Sequence, residues 1–103
     1  MHGMQDMLRQ AQMMQKKMAN LQEELKNREV EGTSGGGMVT VRAKGSQELL
    51  SVTIDKSVLE SGDVEMAQDL VLAAANDALK KARALMEDEM GKITGGFKIP
   101  GLF

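Results

Sequence analysis

The sequence predicts an α+β protein of order α-β-β-β-α, with a three-stranded antiparallel meander between two long helices. Apolar residues recur at helical spacing near the start of the chain and again in its last third, whereas the middle alternates apolar and polar residues. The 103 residues include ten methionines, only two aromatic side chains and no cysteine. The core must therefore be built from aliphatic and methionine side chains, which suits helices that pack on helices.

The first helix is predicted over residues 4–28. Its apolar residues follow one another at alternating steps of three and four, which is the heptad pattern of a helix that packs along one face. Neither glycine nor proline occurs between residues 4 and 31, and the helix would be roughly 37 Å long. The eight positions of this row, here called the seam, are Met4, Met7, Ala11, Met14, Met18, Leu21, Leu25 and Arg28.

Three short strands are predicted at 30–33, 38–44 and 48–54. The consecutive glycines at 35–37 exclude a helix, and Gly35 and Gly36 can supply the positive φ angles of a tight hairpin turn. Period-two alternation then gives the sheet one apolar face. That face is expected to carry Val39, Val41 and Ala43 from the middle strand and Leu50, Val52 and Ile54 from the third.

The second long helix is predicted over residues 64–92, with Asp63 as its N-cap and Glu65 in its first turn. A short helical turn is expected just before it, at 56–59. The long helix carries two neighbouring apolar stripes and would be roughly 44 Å long. The stripes are Ala67, Val71, Ala74, Ala78, Ala82 and Leu85, and Leu72, Ala75, Leu79, Met86, Met90 and Ile93. We expect a single domain over 1–94, followed by a flexible tail with glycine and proline at 95–103.

The helix lengths predict self-association. A compact domain of about 100 residues has a radius of gyration near 13 Å, and neither helix fits inside such a body. Three short strands cannot cover both apolar faces, so a two-fold homodimer with helical arms is the favoured arrangement. The alternative is a monomer in which the two helices form an antiparallel hairpin over the sheet.

The sequence contains no motif that is typical of catalysis or of metal binding. The glycines at 32–37 are followed by a strand and no lysine, unlike a phosphate-binding loop. His2 is the only histidine, the methionines follow packing spacing, and adjacent carboxylates on a helix point apart. We therefore expect a protein that is not an enzyme and that uses no metal, cofactor or small-molecule substrate. The chain also shows no signal peptide and no apolar run of transmembrane length, so no membrane partner is expected.

Two groups of basic residues remain as candidate phosphate contacts. Such charges are usually solvated surface residues, and the net charge of −2 does not by itself favour nucleic acid. A two-fold dimer would nevertheless present each group twice, and paired arms could then meet phosphates on both sides of a duplex. The candidates are Arg9, Lys16 and Lys17 on the first helix and Lys80, Lys81 and Arg83 on the second long helix.

The whole chain resembles the YbaB/EbfC family of bacterial nucleoid-associated proteins. The stretches that carry the resemblance are QAQMMQKKM (10–18), LQEE (21–24), VEG (30–32), GGG (35–37), VTV (39–41), VTID (52–55), QDLVLAAANDA (68–78) and GFKIPG (96–101). The resemblance implies a tweezer-like homodimer that binds double-stranded DNA in the cytoplasm, at the nucleoid, and that contributes to nucleoid organisation and gene regulation.

We therefore predict a homodimer that binds double-stranded DNA with little sequence preference, through the six basic residues on its helical arms. The alternative is a dimeric scaffold that binds a partner protein's helix in a Met-rich groove and does not bind DNA itself. The two hypotheses differ in salt dependence, because phosphate contacts weaken as salt rises whereas an apolar groove does not.

Overall fold

A computed structural model describes residues 3–93 and confirms the α+β order. Along the chain, a three-stranded sheet and one short helix lie between the two long helices. A 3-10 turn at Gly35–Gly37 joins the first two strands. The elements are α1 (Gly3–Lys26), β1 (Glu29–Ser34), β2 (Val39–Lys44), β3 (Leu49–Ile54), α2 (Lys56–Glu60) and α3 (Val64–Ile93). The expected tail at 95–103 and the single histidine, His2, lie outside the described residues.

The sheet is an antiparallel meander with β2 in the centre. Glu29 pairs with Lys44 and Ser34 with Val39 across the first hairpin, and Val39 pairs with Ile54 across the second. Gly35, Gly36 and Gly37 all have positive φ angles, of 59°, 67° and 96°. Glycine adopts such angles without steric cost, which is why the chain reverses direction here.

The core lies between α3 and the two strands β1 and β2. Val39, Val41 and Ala43 are fully buried against Ala74 and Ala78 of α3. Because the helix presents alanines to the sheet, the two layers can approach closely. Gly32 of β1 allows the closest approach, since a Cβ at this position would lie 2.7 Å from the Ala78 Cα and closer still to the backbone of Ala74.

The third strand is less buried than the sequence predicts, since Leu50, Val52 and Ile54 are all expected on the buried face. Leu49, Leu50 and Val52 are 45%, 41% and 47% exposed, and only Ile54 is half-buried. The physical reason is that α3 packs on β1 and β2 and leaves β3 beyond its edge. A bulge between Arg42 and Ala43 also places Leu49, not Leu50, opposite Ala43.

Within residues 3–93, the first helix packs against the rest of the fold at its C-terminal end. Leu25 is fully buried, and its backbone lies against Gly45, where any side chain would meet the Leu25 carbonyl group. Met18 and Leu21 are half-buried, but the seam positions before Met18 are exposed. The resulting shape is long and thin, with extents of 75 × 23 × 17 Å and a radius of gyration of 19.8 Å. This elongation agrees with the argument from helix length.

An aspartate is the N-cap residue of both α2 and α3. The Asp63 carboxylate accepts a hydrogen bond from the Met66 N–H at 2.9 Å, as predicted for an N-cap. Asp55 caps α2 in the same manner, accepting from the Ser57 N–H at 2.9 Å. The Ser57 N–H, and after it the Ser57 hydroxyl, holds the pKa of Asp55 below its ordinary range. Within residues 3–93, no helix is long and apolar enough to span a membrane.

Candidate nucleic-acid interface

The basic residues of α1 lie on its exposed N-terminal part. Arg9 and Lys16 are seven residues apart, so they share one helix face about 10 Å apart along the axis. Lys17 lies beside Lys16, and all three side chains are exposed. None of the three forms an ion pair with another residue in the range 3–93. Their charges are therefore available to an anionic ligand.

The basic residues of α3 are exposed as well, but they are not equivalent. Lys80 and Arg83 make no ion pair with any described residue, whereas the Lys81 ammonium lies 3.2 Å from the Asp77 carboxylate. This pair is exposed, so it contributes little stability. It does neutralise part of the Lys81 charge and thereby makes Lys81 the weakest phosphate contact predicted on this helix.

Asp77 has a structural role that the sequence did not reveal. Its carboxylate accepts a hydrogen bond from the Thr33 N–H at 3.0 Å, and Ser34 Oγ donates to the Leu70 carbonyl at 2.6 Å nearby. These two bonds fasten the two residues of β1 that follow Gly32 to α3. The Thr33 N–H, and after it Lys81, holds the pKa of Asp77 below its ordinary range. Spacing alone could not have identified this role, because Thr33, the residue of β1 that Asp77 binds, is 44 residues away.

We expect Asp77→Asn to make stability less dependent on pH in the acid range. A carboxylate whose pKa is lowered by folding stabilises the protein above its unfolded pKa, near 3.9, and loses that contribution as pH falls through the folded value. The Tm of the native protein should therefore fall more between about pH 5 and pH 3 than that of the variant. Asp69→Asn, on the same helix but without a bond to the sheet, is the matched control. Parallel Tm curves for Asp77→Asn and the native protein would contradict this role.

Charge is distributed unevenly along the molecule. Residues 3–20 contain three basic and one acidic side chain, whereas residues 55–69 at the opposite end contain one basic and five acidic. Two basic residues of β2 form ion pairs, Arg42 with Glu29 and Lys44 with Glu48. The exposed part of α1 is thus the surface best suited to a polyanion, and the end formed by α2 and the start of α3 would repel one.

The structure does not gather the six predicted residues into one cluster. Lys80, Lys81 and Arg83 flank the buried Ala82 on α3, whereas Arg9, Lys16 and Lys17 precede the half-buried Met18 on the exposed arm of α1. The two groups therefore lie at different levels of the long axis. An open groove lined by Met13, Met14, Lys16 and Lys17 follows α1. Among residues 3–93, no group of three acidic, histidine or cysteine side chains is placed to hold a metal ion.

Comparison with known proteins agrees with this architecture. The chain is 54% identical over 101 residues to a nucleoid-associated protein of Pelotomaculum thermopropionicum, with 98% of this chain and 96% of that protein covered. It is 54% identical over 98 residues to a nucleoid-associated protein of Caldanaerobacter subterraneus, with 95% and 88% covered. The crystal structure of an uncharacterised Helicobacter pylori protein superposes with a TM-score of 0.72 at 30% identity, covering 89% of this chain and 97% of that one.

The family assignment rests on almost the entire sequence. The model of the YbaB/EbfC DNA-binding family matches residues 1–97, which include both long helices, the sheet and all six basic residues discussed above. The relatives at this level of identity carry nucleoid-associated names. This chain therefore belongs to the YbaB/EbfC family of nucleoid-associated DNA-binding proteins.

Proposed function

We propose that the protein binds double-stranded DNA as a homodimer, through phosphate contacts made by the basic residues of its helical arms. The observation that carries this proposal is the basic group on the exposed half of α1, which has no ion-pair partner among residues 3–93 and lies at the opposite end of the molecule from the acidic surface. Since phosphate contacts give affinity without reading bases, binding should depend little on DNA sequence.

The exposed third strand supports the dimer. β3 is an edge strand with no charged residue and no proline between Leu49 and Ile54, whereas the other edge strand, β1, carries Glu29 and Glu31. An uncharged, apolar edge is a template for pairing with another strand. Val52 continues the core face of the sheet beyond α3 and remains half-exposed at 47%. A second copy that covers β3 would bury this surface and would give each DNA-binding unit two basic arms.

This function places the protein in the cytoplasm, at the nucleoid. Sequence-tolerant binding to many sites would contribute to nucleoid organisation, and through it to gene regulation. The family model and the names of the relatives support DNA as the ligand. The arms, the dimer and the choice of double-stranded DNA are inferred from charge and exposure. The near absence of aromatic residues also disfavours the stacking that single-strand binding uses.

Fluorescence anisotropy of a labelled duplex at about 50 mM and 200 mM salt tests the proposal. We expect binding at low salt that weakens steeply, with a slope of about 0.9 for each neutralised phosphate. Two duplexes of unrelated sequence should give similar affinities. The mass of the same sample, measured by light scattering, should be twice 11.2 kDa, and Val52→Asp should reduce it towards the monomer.

Two results would contradict the proposal. Dimeric protein that fails to bind either duplex at low salt would exclude DNA as a direct ligand. Binding of a protein partner that is insensitive to salt would then support the scaffold alternative, since apolar grooves are not screened. A monomeric native protein would exclude the dimer, and any DNA binding would then have to come from the single basic arm of one chain.

A further inference from the structure

Two exposed stripes of opposite charge lie at the two ends of the molecule, and the first is on α1. Arg9, Met13 and Lys16 are spaced i, i+4 and i+7, so they share one helix face over about 10 Å. Lys17 extends this face on one side. All four side chains are exposed, Met13 by 64%. We call these four residues the basic stripe.

The second stripe is on the first three turns of α3. Glu65, Asp69 and Leu72 have the same i, i+4 and i+7 spacing, and all three are exposed, Leu72 by 61%. They project away from the sheet, because the opposite face of α3 carries the buried Ala74 and Ala78. Neither carboxylate forms an ion pair within residues 3–93. We call these three residues the acidic stripe.

An open groove beside the acidic stripe combines carboxylates with apolar side chains. It is lined by Asp63, Glu65, Met66, Asp69 and Leu70. Lysine and arginine pack their aliphatic stems on apolar surface while the charged head stays with an anion or with water. Met66 and Leu70 are half-buried and offer such a surface next to the carboxylates. The groove therefore fits the long cationic side chains that the basic stripe carries.

We propose that the basic stripe of one copy docks on the acidic stripe of a second copy, so that the protein associates end to end. The two stripes cannot meet within one chain, because they lie at opposite ends of a molecule that is 75 Å long. The two surfaces differ, so the contact is heterologous and repeats from copy to copy, whereas a two-fold dimer closes. Such association needs neither DNA nor a contact through β3, and it can occur whether or not the proposed function holds.

Charge and apolar area both contribute to this contact. A single exposed ion pair stabilises a complex very little, but each stripe brings at least two like charges that face two opposite ones. Docking also removes Met13 and Leu72 from water, and protein interfaces commonly join an apolar centre to a polar rim. Contacts between two basic stripes or between two acidic stripes are repulsive, which restricts docking to the head-to-tail arrangement.

Sedimentation velocity of the full chain without DNA tests the proposal. At about 50 mM salt, the average mass should rise with protein concentration and exceed twice 11.2 kDa without reaching a plateau. At about 500 mM salt the association constant should fall at least about tenfold, because salt screens exposed charges. A mass that stays at or below twice 11.2 kDa at low salt, up to about 1 mM protein, would overturn the proposal.

Exchange of the two charges gives the sharper test. Arg9→Glu with Lys16→Glu, and separately Glu65→Lys with Asp69→Lys, should each abolish growth beyond the dimer, because stripes of like charge would then face each other. A chain that carries all four substitutions keeps the native net charge of −2 and should associate again. An equimolar mixture of the two double variants should also associate. If both double variants are folded by circular dichroism and their mixture does not associate, the stripes are not partners.

The matched control changes the same charges elsewhere on α3. Glu87→Lys with Asp88→Lys also replaces one glutamate and one aspartate by lysine, but near the C-terminal end of the helix. Both side chains are exposed, and lysine is favourable near a helix C-terminus. This variant should associate as the native chain does. A loss equal to that of Glu65→Lys with Asp69→Lys would show that only net charge matters and would contradict docking on the acidic stripe.

Discussion

Gly32→Ala is expected to destabilise the fold by about 3 kcal/mol or more, because the added methyl group would clash with the backbone of α3. The added Cβ would lie 2.7 Å from the Ala78 Cα and closer to the Ala78 nitrogen and the Ala74 carbonyl oxygen. These are backbone atoms of α3, so no side chain can turn away. The helix must lift from β1, and the neighbouring bonds from Thr33 to Asp77 and from Ser34 to Leu70 would lengthen or break.

The same substitution at Gly91 is the matched control. A Cβ at Gly91 meets nothing within 4 Å, and alanine favours a helix over glycine by about 1 kcal/mol. Thermal unfolding at one fixed protein concentration should therefore show a Tm lower by at least about 12 °C for Gly32→Ala and unchanged or higher for Gly91→Ala. Equal Tm values for the two variants would show that α3 does not rest on β1 as described.

Replacing the three basic residues of α1 together is expected to have the largest effect on DNA binding. Arg9→Ala, Lys16→Ala and Lys17→Ala remove the unpaired charges from the exposed arm. Each lost phosphate contact lowers the salt slope by about 0.9, so the slope should fall by nearly three for each arm engaged. At about 50 mM salt, the affinity should fall on the order of 10²- to 10³-fold, by a similar factor for unrelated duplexes.

The control for this variant removes the same charge elsewhere. Arg28→Ala, Lys44→Ala and Lys56→Ala also replace one arginine and two lysines, but on the sheet side of the molecule. If the arm forms the interface, the control triple should change the slope much less than the α1 triple. Equal losses would indicate that only overall charge matters. A variant with all six candidates replaced, adding Lys80, Lys81 and Arg83, that binds with an unchanged slope would exclude these residues as the site.

The sequence by itself determined the order of the elements and the faces that short-range patterns encode. The heptad steps from Met4 to Leu25 predicted α1, and consecutive glycines predicted the turn that the positive φ angles at 35–37 confirm. The alternation of Val39, Val41 and Ala43 predicted the buried face of β2. These features depend on residues close in sequence, because periodicity and turn chemistry are local properties.

Only the tertiary structure decided which of those faces are buried against another element. The pattern in β3 is the same as that in β2, yet Val52 is exposed because α3 is one helix wide and covers two strands. The seam of α1 is uniform, but α3 reaches only its C-terminal half. The roles of Gly32 and Asp77 depend on contacts with residues more than 40 positions away. Local patterns indicate whether a surface is apolar or charged. Whether that surface is buried depends on the lengths and positions of elements that are distant in sequence.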